Sequence, residues 1–224
     1  MPITVVTAIF GGYEMPKAPP TKGVDRAVLF TDSTEDSRWE IHKRRAAHGL
    51  SNLRHFFVAK QTPHICVTDD DDVLWIDGSF EPKEGADVRE MFEMVPKGGI
   101  GLYRHPDRQC YTDEARFSQW YGAEHERAAL CLEQSAYYEK RGCPLRGGLW
   151  NSGIIVWRGA QRRLGERWFA ETMAWSASDQ MALPYVLHAL GLGVDAITVI
   201  PGNIYECAWF DHIRHGCAGR TTPK

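Results

Sequence analysis

A β-branched apolar run from Thr4 to Phe10, halted by Gly11-Gly12, constrains this chain more than any other feature. It reads as an opening strand, and comparable runs follow at Arg26–Thr31, Val73–Ile76, Ile100–Tyr103, Ile154–Trp157 and Val194–Ile200. Between them lie helical patterns over 38–48, 52–62, 113–140, 160–174 and 178–190. Gly122 weakens the middle of the longest of these. Strands alternating with helices predict an α/β sandwich, its sheet mostly parallel and covered on both faces. In such sheets ligands bind beyond the carboxyl ends of the strands. The polar punctuation falls there, at Gly11-Gly12-Tyr13, Thr31-Asp32-Ser33 and Asp77-Gly78.

With 224 residues and neither internal repeat nor flexible linker, the chain reads as one domain. Hydrophobic residues at 43% and charged ones at 25% are those of a globular protein, not a disordered or fibrous one. A net charge of −3 excludes a globally basic nucleic-acid coat. The apolar stretches fall short of the roughly 20 residues a membrane span needs, and the first strand has no basic segment before it. A soluble, cytoplasmic protein is therefore expected. Its six cysteines form no CxxC pair and are expected to be reduced thiols. Cys207, His212, His215 and Cys217 have zinc-ligand chemistry, but their spacing matches no familiar zinc module.

The acids Asp69 to Asp72 read as a solvated turn, whereas Asp77 stands at the carboxyl end of a buried-type strand with glycine behind it. A carboxylate there suits a hard divalent cation bridging two phosphates. The alternative is a turn-capping aspartate. Asp113 and Glu114 open a helix, where acids are favoured by the macrodipole, and Asp179 has the alternative role of an N-cap. Lys60, taken singly, is a solvated surface lysine. The basic stretch 42–55 is a solvated face or a site for a polyanion. Trp209 and Phe210, near the tail histidines, are candidates for a lid that stacks on a sugar.

The stretch VLWIDGSF (73–80) resembles the metal-binding strand end of GT-A glycosyltransferases. More closely, the chain is similar to the TOD/MUCI-type glycosyltransferase-like family through seven segments in order. These are TAIFGGYE (7–14), FTDS (30–33), KQTPH (60–64), WIDGSF (75–80), HPDRQCYTDEA (105–115) and GLWNSGIIVWR with SDQMAL (148–158, 178–183). Two pieces also resemble the retaining family-eight enzymes: Asn151-Ser152-Gly153 is similar to their FN[AS]G signature, and Asp179-Gln180 to their DQD element. The chain departs from the pattern at Trp75, where the first acid of Asp-x-Asp would stand, and at Met181, where the second acid of DQD would stand.

The resemblance implies a GT-A-like domain whose residues 1–80 bind the nucleotide and whose residues 81–224 carry the donor-sugar and acceptor half with a C-terminal tail. It implies a nucleotide-sugar hexosyltransferase, UDP being the favoured nucleotide, acting on a glycan or on a hydroxylated base of phage-type DNA. Thr7, Ala8, Tyr13 and Asp32 would hold base and ribose, and Arg54 and Lys60 the phosphates. Asn151 and Ser152 would hold the donor sugar, and Arg108 with His105 would bind sugar hydroxyls or an acceptor phosphate, or fix the loop. Asp77 with His212 or His215 would hold Mn²⁺ or Mg²⁺. Asp179, Gln180 and Glu114 would stand at the reacting centre, with retention of anomeric configuration. A second reading is a non-catalytic nucleotide- or carbohydrate-binding module, since the Asp-x-Asp is incomplete. A nucleotidyltransferase is disfavoured because Gly11-Gly12-Tyr13 supplies no G-x-G-T-R loop.

Overall fold

The computed structural model describes residues 1–11, 14–32, 36–43, 52–65, 67, 71–120, 125–159, 161–176 and 178–213, with backbone alone for 53, 54, 119, 120 and 125–127. Its strands are β1 (Ile3–Ile9), β2 (Arg26–Thr31), β3 (Glu40–Lys43), β4 (Asp72–Ile76), β5 (Phe80–Pro82), β6 (Ile100–Arg104), β7 (Trp150–Trp157), β8 (Ile197–Ile200) and β9 (Phe210–His212). The helices are α1 (Asn52–Gln61), α2 (Arg89–Met94), α3 (Tyr111–Trp120), α4 (His125–Lys140), α5 (Arg162–Ala174) and α6 (Asp179–Ala189).

Seven strands form one sheet in the order β3-β2-β1-β4-β7-β6-β8. β1 pairs in parallel with β2 (Val6 opposite Val28) and with β4 (Val6 opposite Trp75). β7 alone runs against its neighbours, with Ile154 opposite Ile76 on β4 and Trp150 opposite Arg104 on β6. The amino end of β7 therefore lies on the same edge as the carboxyl ends of β1, β2, β4 and β6. That edge carries the site.

Every residue of β1 is buried, as expected of a strand covered on both faces. Successive side chains alternate between two cores. Val6, Ala8 and Phe10 pack with Ala59 of α1, Leu164 and Trp168 of α5 and Leu183 of α6. Val5 and Ile9 pack with Met91 and Phe92 of α2 and with the buried tail residues Ile204, Trp209 and Phe210. At roughly 1.5–3 kcal/mol for each fully buried large apolar side chain, these two layers are the main source of the sheet's stability. A third cluster joins α3 and α4 to α6 through Tyr111, Tyr138 and Tyr185.

Several expectations are corrected. The helix predicted over 38–48 begins instead as the edge strand β3, whose parallel ladder with β2 and Arg26–Glu40 ion pair (2.5 Å) outweigh local propensity. The helix predicted over 113–140 is two. Tyr111 at the start of α3 meets Tyr138 near the end of α4 (ring centroids 5.6 Å), so the chain folds back between them. Gly122 falls between the two, among residues outside the described set. Asp72 is no solvated acid: it is 4% exposed and pairs with Arg158 at 3.0 Å, and Arg158 also donates to the Val95 carbonyl at 2.8 Å. Asp71 accepts from Thr4 Oγ1 at 3.0 Å, while Asp69 and Asp70 lie outside the described residues.

Trp209 and Phe210 form no lid. Both are buried, held by a two-stranded antiparallel ribbon of β5 and β9 that the sequence pattern does not announce. The ribbon fastens the tail to the chain just beyond β4, with Ile213 N donating to Ser79 O at 2.8 Å. Cys110, Cys131, Cys143 and Cys207 are free thiols, as expected. Cys207 donates to the Phe210 carbonyl, and His215 and Cys217 lie outside the described residues. Among the described residues, no helix is long and apolar enough to cross a membrane.

Candidate active site

The carboxyl edge is shaped by close approaches that need glycine. Gly11 (φ +71°) turns the chain out of β1, and its N–H donates to both carboxylate oxygens of Asp32 at 3.0 Å, which ties the ends of β1 and β2 together. Gly153 lets the Phe80 ring rest on β7, where a Cβ would sit 2.7 Å from it.

Between the ends of β1 and β4 lies a cavity of about 470 Å³. Its walls include Ala8, Phe10 and Phe56, and its polar groups include Glu14, Asn52 and Asp77. A mostly apolar cavity with a few polar groups is the usual form of a small-molecule site. Of the predicted nucleotide-binding residues, Ala8 lines this cavity and Asp32 fixes the loop beside it. Thr7 is buried within the sheet, its Oγ1 without a hydrogen-bond partner among the described residues. Tyr13, His215 and the Arg54 side chain lie outside the described residues.

Asp77 is one of the residues that line the cavity. Its N–H continues the β4–β7 ladder to the Gly153 carbonyl at 2.8 Å, and its Oδ1 accepts from the Trp75 indole at 2.7 Å. The indole two residues earlier in the chain thus donates directly to this carboxylate. Lys60, in the last turn of α1, is 3% exposed. Its Nζ lies 3.3 Å from Asp77 Oδ1 and 2.9 Å from Asp179 Oδ2, with the Phe56 ring centroid 5.1 Å away. A buried ammonium is tolerated only when paired in this way. Burial pushes Lys60 down, but Asp179 and Asp77 together outweigh it and hold the amine above its ordinary value. Burial also raises the Asp77 carboxyl above the usual carboxylate range, against the opposing pull of Lys60 and the Trp75 indole.

Asp179 is spoken for. Oδ2 accepts from Ser152 Oγ at 2.6 Å as well as from Lys60, and Oδ1 accepts from the Gln180 N–H at 2.9 Å. The Trp168 indole binds its carbonyl at 2.8 Å. Gln180 follows in the chain, its buried Oε1 unpartnered among the described residues. Asn151 accepts from Gly153 N at 2.9 Å and donates to the Tyr205 hydroxyl at 3.2 Å. The structure therefore brings Lys60, Asp77, Ser152 and Asp179 into one cluster, with Asn151 beside Ser152 on β7.

His212 sits on β9 opposite Phe80, its ring against those of Phe80 (5.1 Å) and Tyr205 (4.7 Å). Among the described residues, no group of three His, Cys, Asp or Glu side chains is placed to hold a metal ion. Mg²⁺, however, is commonly held by one or two carboxylates plus substrate phosphates. Asp77 and Asp179 against Lys60 leave one net negative charge beside the cavity, so Asp77 fits that role.

Arg108 lines a second cleft, of about 980 Å³. Glu114 forms an ion pair with it, and the Arg108 guanidinium lies 4.0 Å over the Phe117 ring. His105 Nδ1 accepts from the Asp107 and Arg108 amides at 3.1 Å each, which closes the HPDR loop. Burial and the adjacent Arg108 hold His105 down at about 4, so it is neutral. Sequence reasoning missed Glu14, Asn52 and Phe56 as cavity residues; a lone Glu, Asn or Phe carries no signal of its own.

No family model matches the chain, and no curated protein matches it. Among solved structures it is similar to the WbbM bifunctional glycosyltransferase in its apo form, at 14% identity and a TM-score of 0.49. That match covers 89% of this chain and 38% of the other, so the chain spans well under half of that neighbour. It is also similar to apo mouse xyloside xylosyltransferase 1, at 14% identity and a TM-score of 0.44, over 89% of this chain and 84% of the other.

Proposed function

We propose that this chain is a glycosyltransferase that takes a nucleotide-sugar donor, with UDP the nucleotide and a hexose the sugar. The observation that carries the reading is the cavity between β1 and β4 that Asp77 helps to line, a carboxylate paired with a buried lysine that Asp179 shares. The base lies in the cavity beside Ala8, Phe10 and Phe56. Asp32 keeps the Gly11 turn open for the ribose. Ser152 and Lys60 hold Asp179, and with it the start of α6, against the sheet, so that Gln180 and Asn151 frame the sugar.

In the reaction the acceptor hydroxyl oxygen bonds to C1 as the bond from C1 to the diphosphate oxygen breaks. The nucleoside diphosphate departs, and the hydroxyl proton passes to a leaving phosphate oxygen on the same face, so configuration is retained. Asp179 serves as a positioning residue, since its oxygens are already engaged. Asp77 would hold Mn²⁺ or Mg²⁺, which supplies Lewis-acid neutralisation of the diphosphate when bound. The engaged state of Asp179 and Asn151 also favours a second reading, a module that binds nucleotide sugar without transferring it. A panel of nucleotide sugars assayed for released nucleotide, with and without Mn²⁺, tests both. Release supports the transferase, binding without release supports the module, and neither event overturns both.

A further inference from the structure

The second cleft is an arginine-rich surface that the donor site leaves unused. Its position follows from the sheet: Arg104 ends β6 opposite Trp150, and Tyr103 stands opposite Asn151. The cleft beyond Arg104 therefore adjoins the edge where the donor sugar is placed, on the side away from the nucleotide cavity. Arg104 spreads its guanidinium over the Trp150 ring at 5.2 Å. Arg116 reaches it from α3 and Arg146 from the loop before β7. All three are exposed, and among the described residues none of them has an ion-pair partner.

The other charged groups of the cleft are engaged or balanced. Arg108 is matched by Glu114, and His105 is neutral. Asp113 accepts from the Gln109 N–H at 3.2 Å, and Glu139 is the other acid lining the cleft. With Arg108 matched by Glu114, the other three arginines against Asp113 and Glu139 leave one net positive charge, in a chain whose overall charge is −3. Unpaired guanidinium forks match the two-oxygen edge of a carboxylate or phosphate. A cleft of about 980 Å³ with two acids in its wall suits a compact end-group, not a long phosphate backbone.

From this we infer that the cleft binds the acceptor through an oxyanion, a phosphate monoester or carboxylate on a saccharide, held by Arg104, Arg116 and Arg146. The inference rests on the transferase reading for its word acceptor, though the binding itself does not. Calorimetric titration of the full chain with glucose 6-phosphate, glucuronate and glucose tests it, alongside UDP. Saturable binding of either anion but not of glucose is expected. Arg116→Ala/Arg146→Ala, at two exposed positions, weakens that binding about tenfold or more and leaves UDP binding unchanged. Anion binding equal to that of glucose, or unaltered in the double variant, overturns the inference while UDP binding still upholds the donor site. Tighter binding of a short DNA duplex than of either saccharide assigns the cleft to nucleic acid and also overturns it. Anion binding without UDP binding sinks the donor site and spares the cleft.

Discussion

Lys60 Nζ lies 2.9 Å from Asp179 Oδ2, which joins the last turn of α1 to the first turn of α6 across the end of β4. Asp77 shares the same ammonium at 3.3 Å, so the carboxylate facing the cavity is positioned by two helices and a strand at once. Gly165 permits this crossing, because a Cβ there would strike the Gln61 carbonyl at the end of α1. Gln61 Nε2, donating to Thr172 Oγ1 at 2.9 Å, pins α1 to α5 beside it.

Breaking this cluster is expected to be costly. Lys60→Met leaves Asp77 and Asp179 buried without a cation and lowers unfolding free energy by about 3 kcal/mol or more in urea titration. The triple variant Lys60→Met/Asp77→Asn/Asp179→Asn, which removes the stranded charges, recovers most of the loss. A loss under about 1 kcal/mol in the single variant contradicts the pairing. Because Lys60 sits above its ordinary value, its contribution is fully present below that value. It is lost as pH rises through the raised one.

His105 gives a second pH dependence, at the acid end. Its folded value, about 4, lies below the ordinary 6.5, so between these the unfolded chain binds the extra proton and stability falls as pH falls. The full effect is at most about 3 kcal/mol. Thermal melts at pH 7 and pH 5 are expected to show a larger drop for the wild type than for His105→Asn, which keeps an acceptor for the Asp107 and Arg108 amides. Equal drops would falsify the assignment.

Asp77→Asn is expected to cut turnover on the order of a hundred-fold, while Lys60 keeps its bond to Asp179 and the melting temperature stays close to that of the wild type. Mn²⁺ titration read by electron paramagnetic resonance, with UDP present, separates a charge effect from metal loss. The variant is expected to leave more Mn²⁺ free, and identical binding curves would place the metal elsewhere.

Product stereochemistry is open to direct reading. Proton NMR of the earliest product should show the anomeric coupling of the donor. An inverted coupling would require a carboxylate base. Asp179 is poorly suited to that role, with its oxygens bound to Ser152, Lys60 and the Gln180 amide.

The sequence made the sheet legible because its strands are short apolar runs with polar stops. Thr4–Phe10 differs from the observed Ile3–Ile9 by one residue at each end, and Asp77 stood out as a charge with no packing reason to be there. Long-range pairing was not legible. Each strand of the β5–β9 ribbon is three residues long, and Phe210 is buried only because Phe80–Pro82 pairs with its strand. β3 likewise exists through its ladder with β2. Lys60, taken singly, reads as a solvated surface lysine and is buried instead; its pairing with Asp77 and Asp179 was not legible, since contacts across α1, β4 and α6 leave no local pattern.

The central claim is that the cavity between β1 and β4 binds a nucleoside diphosphate at Asp77. Calorimetric titration with UDP and GDP in Mn²⁺, repeated in EDTA and on Asn52→Trp, tests it most directly. Asn52 is exposed at the mouth of the cavity, so an indole there obstructs entry without disturbing the core. Saturable UDP binding is expected, weakened about tenfold or more both by EDTA and by the tryptophan. Absence of binding to either nucleotide, or binding that Asn52→Trp leaves unchanged, contradicts the account.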